Sequence, residues 1–156
     1  MTEEGILFLH LAGVLLFVGG SVAAALLRLA AMRRERPSEI ALLLRSVQPV
    51  VPIVAGGLVV TIAAGFWLAS ELGISLSATW LTLTFVLIGW TLVVGAAAGR
   101  QDRKTRELAE RLAADGDAPS ALLTRRLRDP LNLVLNASML IAVVAIVALM
   151  VWKPGA

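Results

Sequence analysis

Four long stretches of the chain contain no Asp, Glu, Lys or Arg: residues 6–27, 50–69, 80–99 and 131–152. Each runs for 20–22 residues. At about 1.5 Å of rise per residue, a helix of that length crosses a hydrocarbon layer about 30 Å thick. Spanning strands would alternate polar and apolar positions, and none of these runs does. Backbone N–H and C=O groups in lipid must pair within their own segment, which leaves the α-helix. The pattern predicts an all-α membrane protein: a four-transmembrane-helix bundle, one domain over residues 1–156, with long polar connections at residues 28–48 and 100–130.

The connections carry helical periodicity of their own. Ile40, Leu43, Leu44 and Val47 repeat at i, i+3, i+4 and i+7. This predicts a short amphipathic helix lying at the headgroup level, or an extension of the second span. Residues 101–114 place Glu107 and Arg111 four apart, as a charged helix does. Asp115-Gly116-Asp117-Ala118-Pro119 should end that helix, after which Ser120 is positioned to cap a short basic segment through Arg128. The fourth span opens with Asp129-Pro130, an N-cap oxygen followed by proline at the first helical position, and Gln48-Pro49 is a weaker version before the second. Arg45-x-x-x-Pro49 and Arg126-x-x-x-Pro130 are parallel, which suggests two helical hairpins related by an axis along the membrane normal.

Charge placement adds an orientation. The first connection holds five basic residues and the second eight, thirteen of the fourteen in the chain. Only Lys153 falls on the other side, with Glu3, Glu4 and Glu71. Four spans put both connections on one face, and the excess of Lys and Arg assigns it to the cytoplasm. The expectation is a multi-pass protein with both termini extracytoplasmic. The acidic start, Met1-Thr2-Glu3-Glu4, is no signal-peptide n-region, so the first run reads as a retained helix. Trp67, Trp80 and Trp152 fall at the outer span ends, where an indole keeps its N–H wet; Trp90 lies mid-span and reads as packing. Composition agrees, with 58% hydrophobic and only 16% charged residues. A soluble fold, with about 25% charge, needs more polar surface. The net charge of +3 sits beside apolar runs and points to lipid headgroups, not nucleic acid. Arg33, Arg34, Arg36, Arg100, Arg103, Arg125, Arg126 and Arg128 are the candidate headgroup and topology residues.

Candidate chemistry is sparse. There are no cysteines, which removes disulfides, thiolate metal sites and thiol nucleophiles. No Walker loop, GxGxxG, HExxH or Ser–His–Asp set occurs. The lone histidine, His10, lies about one turn into the first span, and an ionisable side chain there is a functional candidate. Gly13, Phe17, Gly19 and Gly20 follow it, a face with room for a flat cofactor, and neutral imidazole ligates haem iron. The other reading is an interfacial histidine bonded to a hydroxyl such as Thr82 or Thr84. One histidine cannot supply bis-histidine ligation, so a second ligand would be Met139, Met150, a water or His10 of a second copy. Asn132, Asn136 and Ser138 form a polar group near the basic end of the fourth span, suited to interhelical hydrogen bonds, a polar cavity or a headgroup contact. Gly13, Gly19, Gly20, Gly56, Gly57, Gly65 and the GxxxG of Gly95 and Gly99 mark faces for close helix packing.

The segment Leu7-Phe8-Leu9-His10-Leu11-Ala12-Gly13-Val14-Leu15-Leu16-Phe17-Val18-Gly19-Gly20 resembles the opening of the predicted integral membrane proteins of domain-of-unknown-function family 2269. Size, four-span plan and the Arg126-x-x-x-Pro130 start of the last helix extend the resemblance over essentially the whole chain. The pattern of a first-helix histidine followed by an aromatic and glycines is also similar to copper-resistance D membrane proteins and HemJ-type protoporphyrinogen oxidases. The latter likeness implies haem binding at His10. Two departures stand out: Phe17 replaces the usual tryptophan, and no span holds the lysine of the HemJ-type group. The resemblance implies a protein of the bacterial inner membrane. Its expected role is haem b binding through His10 or, alternatively, that of a cofactor-free accessory subunit. Its expected partners are the bilayer and either a second copy or a larger membrane complex. The uncharged spans disfavour a coupled transporter.

Overall fold

The computed structural model describes residues 2–75 and 78–154. Six helices follow in order: α1 (Glu3–Ala31), α2 (Pro37–Ser46), α3 (Val50–Glu71), α4 (Thr79–Ala114), α5 (Ala121–Leu127) and α6 (Pro130–Trp152). The four apolar runs lie within α1, α3, α4 and α6. Only 17–28% of each apolar window is buried, so the rest of that surface needs lipid as its solvent. The chain is an all-α membrane protein.

Helix ends follow local chemistry. Glu3 and Glu4 occupy the first turn of α1 and Arg28 the last, each charge complementing the helix dipole. α3 and α4 both finish in a left-handed glycine, Gly73 at φ +61° and Gly116 at φ +111°. In each, the next amide returns to the carbonyl five back, Ile74 to Ala69 at 2.9 Å and Asp117 to Leu112 at 3.1 Å, satisfying a carbonyl the helix leaves open. Asp129 caps α6 as expected, its Oδ1 accepting from Leu131 N at 3.2 Å, with Pro130 at the start. Ser120 makes no side-chain cap to α5; instead its carbonyl accepts from the Thr124 hydroxyl at 3.1 Å.

Contacts gather the chain into two compact units. The first contains α1 up to Arg28 together with α3. The second contains the end of α1 from Leu29 together with α2, α4, α5 and α6.

Within the second unit, α6 packs along α4. Thr91, Val94 and Ala98 of α4 are buried. The expected GxxxG is not a close backbone crossing: Gly99 faces open space and Gly95 meets the tip of Met139. The unit also holds a small apolar core of soluble type at its basic end. Ala31, Ile40, Ala41, Leu44, Ala109, Leu123 and Leu127 are buried together there. Protein therefore covers the apolar face of α2, so that face is not what would hold the helix at the headgroups. α2 runs on toward α3 through a three-residue turn at 47–49, and Pro37–Glu71 together form a stretch long and apolar enough to cross a membrane. Ion pairs on α4 include Arg103–Glu107 at 2.9 Å and Arg106–Glu110 at 3.4 Å, where the sequence suggested Glu107–Arg111. Trp80 is buried, with Lys153 Nζ 6.0 Å from its ring centroid, and is not an interfacial anchor. Trp67 and Trp152 are exposed at span ends as expected.

This core is locked at one corner by an aspartate from a distant turn. α2 starts at Pro37, which leaves the Ser38 amide without an intrahelical acceptor. Asp117 Oδ1 accepts from that amide at 2.7 Å and Oδ2 from the Ser38 hydroxyl at 2.7 Å. Asp117 reaches them from a left-handed backbone at φ +57°. Hydrogen bonds from the Ser38 hydroxyl, then its amide, and the charge of Arg36 hold the Asp117 carboxyl below its ordinary value. A depressed carboxyl contributes stability above its unfolded value of about 3.9, and loses it as pH falls through the lower folded value. The Ser38 amide resonance of the detergent-solubilised protein is thus expected to titrate with a midpoint below the ordinary carboxylate range. Asp117→Asn should abolish that titration.

Candidate functional site

His10 lies two turns into α1, partly buried, in the first unit. Its Nδ1 is 2.9 Å from the Thr61 carbonyl oxygen of α3. A carbonyl only accepts, so Nδ1 must carry the proton. Nε2 of the neutral ring then holds a lone pair, and it has no partner among the described residues. The bond joins the ring to a backbone oxygen, not to the hydroxyl of Thr82 or Thr84; those hydroxyls donate to Ala78 O and Trp80 O in their own helix.

Small residues set this geometry. A Cβ on Gly65 would stand 3.1 Å from His10 Cε1 and 3.2 Å from Nδ1, so the imidazole lies against a glycine with no side chain to displace it. One turn back, the Thr61 hydroxyl donates to Gly57 O at 2.8 Å. Below that, the two backbones nearly touch. A Cβ on Gly13 would be 2.7 Å from Thr61 N, and one on Gly57 would be 2.7 Å from Phe17 N. Phe17 is buried at this crossing.

The same contacts correct the expected cofactor space. Gly13 faces α3 and Gly20 faces Val54, 2.5 Å from a Cβ built there. Only Gly19 looks onto open space. Gly13 and Gly20 bring the helices together and leave no slot on the side of α1 that faces α3. Thr61 was missed by sequence reasoning. The signal was there: Gly57, Thr61 and Gly65 recur every four residues and so share one helix face.

The remaining candidates lie in the second unit, on α6. Met139 packs its methyl toward Gly95, and Met150 is partly buried. Asn136 Nδ2 donates to Asn132 O at 2.7 Å, within its own helix. Asn132 is buried, and its Nδ2 has no protein acceptor. The mid-span Trp90 gives its indole N–H to Ser138 Oγ at 3.3 Å, joining α4 to α6. The candidate arginines cluster on the polar connections, and Arg128 Nη2 donates to Met32 O at 3.3 Å. Among the described residues no group of three or more His, Cys, Asp or Glu could hold a metal ion.

A family model described as "Predicted integral membrane protein" (DUF2269) matches residues 4–154. No curated protein and no solved structure matches the chain significantly.

Proposed function

The chain belongs to the DUF2269 family of predicted integral membrane proteins, and on that footing we propose that it binds haem b in the membrane with His10 Nε2 as an axial ligand. The observation that carries this reading is the Nδ1–Thr61 O bond of 2.9 Å. A ligating histidine commonly gives its other ring N–H to a backbone carbonyl, which fixes the tautomer and turns the free nitrogen toward the iron. His10 has that arrangement, and Gly65 leaves the ring its position. When bound, haem supplies a one-electron redox couple whose potential the axial ligand helps set. The chain's own contribution is to orient one imidazole, hold its proton on Nδ1 and keep water away with apolar helix surface. A water or His10 of a second copy would complete the coordination. The membrane is the bacterial inner membrane, with the Arg-rich connections in the cytoplasm by the bias of basic residues.

Filling of the Gly13 and Gly20 positions by α3 favours a second reading, in which His10 only ties α1 to α3 in a cofactor-free accessory subunit. Absorption spectra of protein purified after haem-replete expression separate the two. The haem reading expects a Soret band that is lost in His10→Ala and shifted in Gly65→Ala, whose Cβ crowds the ring. A colourless wild-type protein, or a band indifferent to both substitutions, sinks it.

A further inference from the structure

Asn132, in the first turn of α6, is only 5% exposed, and its Nδ2 meets no acceptor among the described residues. A buried amide N–H left unpaired is costly, and native folds keep few of them. The neighbouring polar side chains of α6 are each satisfied by their own helix. Asn136 Nδ2 donates to the Asn132 carbonyl at 2.7 Å, and the Ser138 hydroxyl to Leu135 O at 2.7 Å. Asn132 Nδ2 has no such outlet.

The start of α6 supplies the missing partner's surroundings. Asp129 is the N-cap and Pro130 the first helical residue, which makes Asn132 the third. Side chains at the N-cap and third positions face one another in a capping box, and helical side chains lean toward the N-terminus. Asn132 therefore leans back over its own cap. Asp129 Oδ1 goes to Leu131 N at 3.2 Å, which leaves Oδ2 of a half-buried carboxylate over for a bridged contact. The site also lies at the polar edge of the span. Lys153 over Trp80 and Met139 at Gly95 run α6 antiparallel to α4. Seven residues back from Met139 is Asn132, and seven on from Gly95 is Asp102, past the end of the apolar run at Gly99.

We propose that Asn132 and Asp129 hold a water molecule at the start of α6, which accepts from Asn132 Nδ2 and donates to the Asp129 carboxylate. Burial selects the size of the occupant, since a group this enclosed admits little larger than water. Charge selects against an anion, which would meet Asp129, and a cation would meet the N–H face of the amide. A buried water usually makes about three hydrogen bonds. The third is available from the Asn132 backbone N–H, at a helix position with no intrahelical acceptor. The site belongs to the second unit and stands independently of any ligand at His10.

The test is magnetic resonance on the full chain in detergent micelles, with nitrogen-15 on asparagine and tryptophan. Asn132 and Asn136 are the two asparagines of the chain, so Asn136→Ala assigns both side-chain amides. The Asn132 amide should show a water cross-peak whose laboratory-frame and rotating-frame Overhauser effects have opposite signs, which marks a bound molecule and not proton exchange. The Trp90 indole N–H, bonded to Ser138 within the span and assigned by Trp90→Phe, is the dry control and should show none. Asp129→Ser keeps a capping hydroxyl but removes the carboxylate. It should weaken the Asn132 cross-peak about tenfold, the scale of one hydrogen bond to a charged group. A wild-type Asn132 amide with no water cross-peak, or with cross-peaks to detergent protons in its place, overturns the proposal. So does a peak of undiminished strength in Asp129→Ser, or one of equal strength at Trp90, which would spread the water along the whole α4–α6 contact.

Discussion

Gly57→Leu is expected to separate α1 from α3 and leave no stable folded protein in mild detergent. A Cβ at this position would stand 2.7 Å from Phe17 N, 2.8 Å from Leu16 Cβ and 2.9 Å from Gly13 O. Two of those three atoms are backbone and cannot swing away. The helices must part, and parting them breaks the His10 bond to Thr61 and exposes the close packing around Gly13. Overpacking a tight contact typically costs about 1–3 kcal/mol, and here the whole helix pair depends on one crossing. The adjacent Gly56 provides the control, since a Cβ there meets nothing within 4 Å. Gly56→Leu should melt at or above the wild-type temperature, because leucine is a better helix former than glycine by up to about 1 kcal/mol. Thermal denaturation followed by circular dichroism distinguishes the pair. Similar melting of both variants would show that the crossing does not set stability.

Leu123→Ala should open the small core at the basic end while sparing the spans. Leu123 is 1% exposed, packed with Ile40, Leu44 and Ala109. Truncating a buried leucine costs about 2–5 kcal/mol through lost burial and the cavity left behind. α2 has ten residues and α5 seven, too short to hold a helix without tertiary contacts. Losing one of the few large side chains in this core should therefore release both together. Limited proteolysis would show new cuts within residues 33–48 and 115–128 with the apolar runs still protected. Leu122→Ala, one residue away but 55% exposed, should leave the digestion pattern unchanged. Equal sensitivity of the two variants would count against a packed core.

The spans were legible because lipid acts on composition alone: a run of about twenty uncharged residues has few other uses. Capping at Asp129 was legible for the same reason of locality, since the cap and its amide are two residues apart. What could not be read were partners distant in sequence. The periodicity of Ile40, Leu43 and Leu44 showed that α2 has an apolar face, but protein and headgroups satisfy such a face equally well. Asp117 looked like a helix breaker and is also the cap of a helix nearly eighty residues earlier. Gly95 and Gly99 carry a packing motif and make no close backbone approach, while Gly13 and Gly57, in no GxxxG, make a tight one. At the candidate site, His10 stood out by rarity. Its acceptor is a main-chain oxygen, and every residue has one of those, so only the four-residue spacing of Gly57, Thr61 and Gly65 pointed to that face.

α4 runs for 36 residues without a break, and fifteen of them lie beyond Gly99, about 22 Å of stiff rod past the apolar run. A swing of roughly ten degrees about the end of that run would carry its tip through about 4 Å, on the order of a side-chain width. A change of tilt in α4, which its packing against α6 sets, is thereby converted into displacement at the far end.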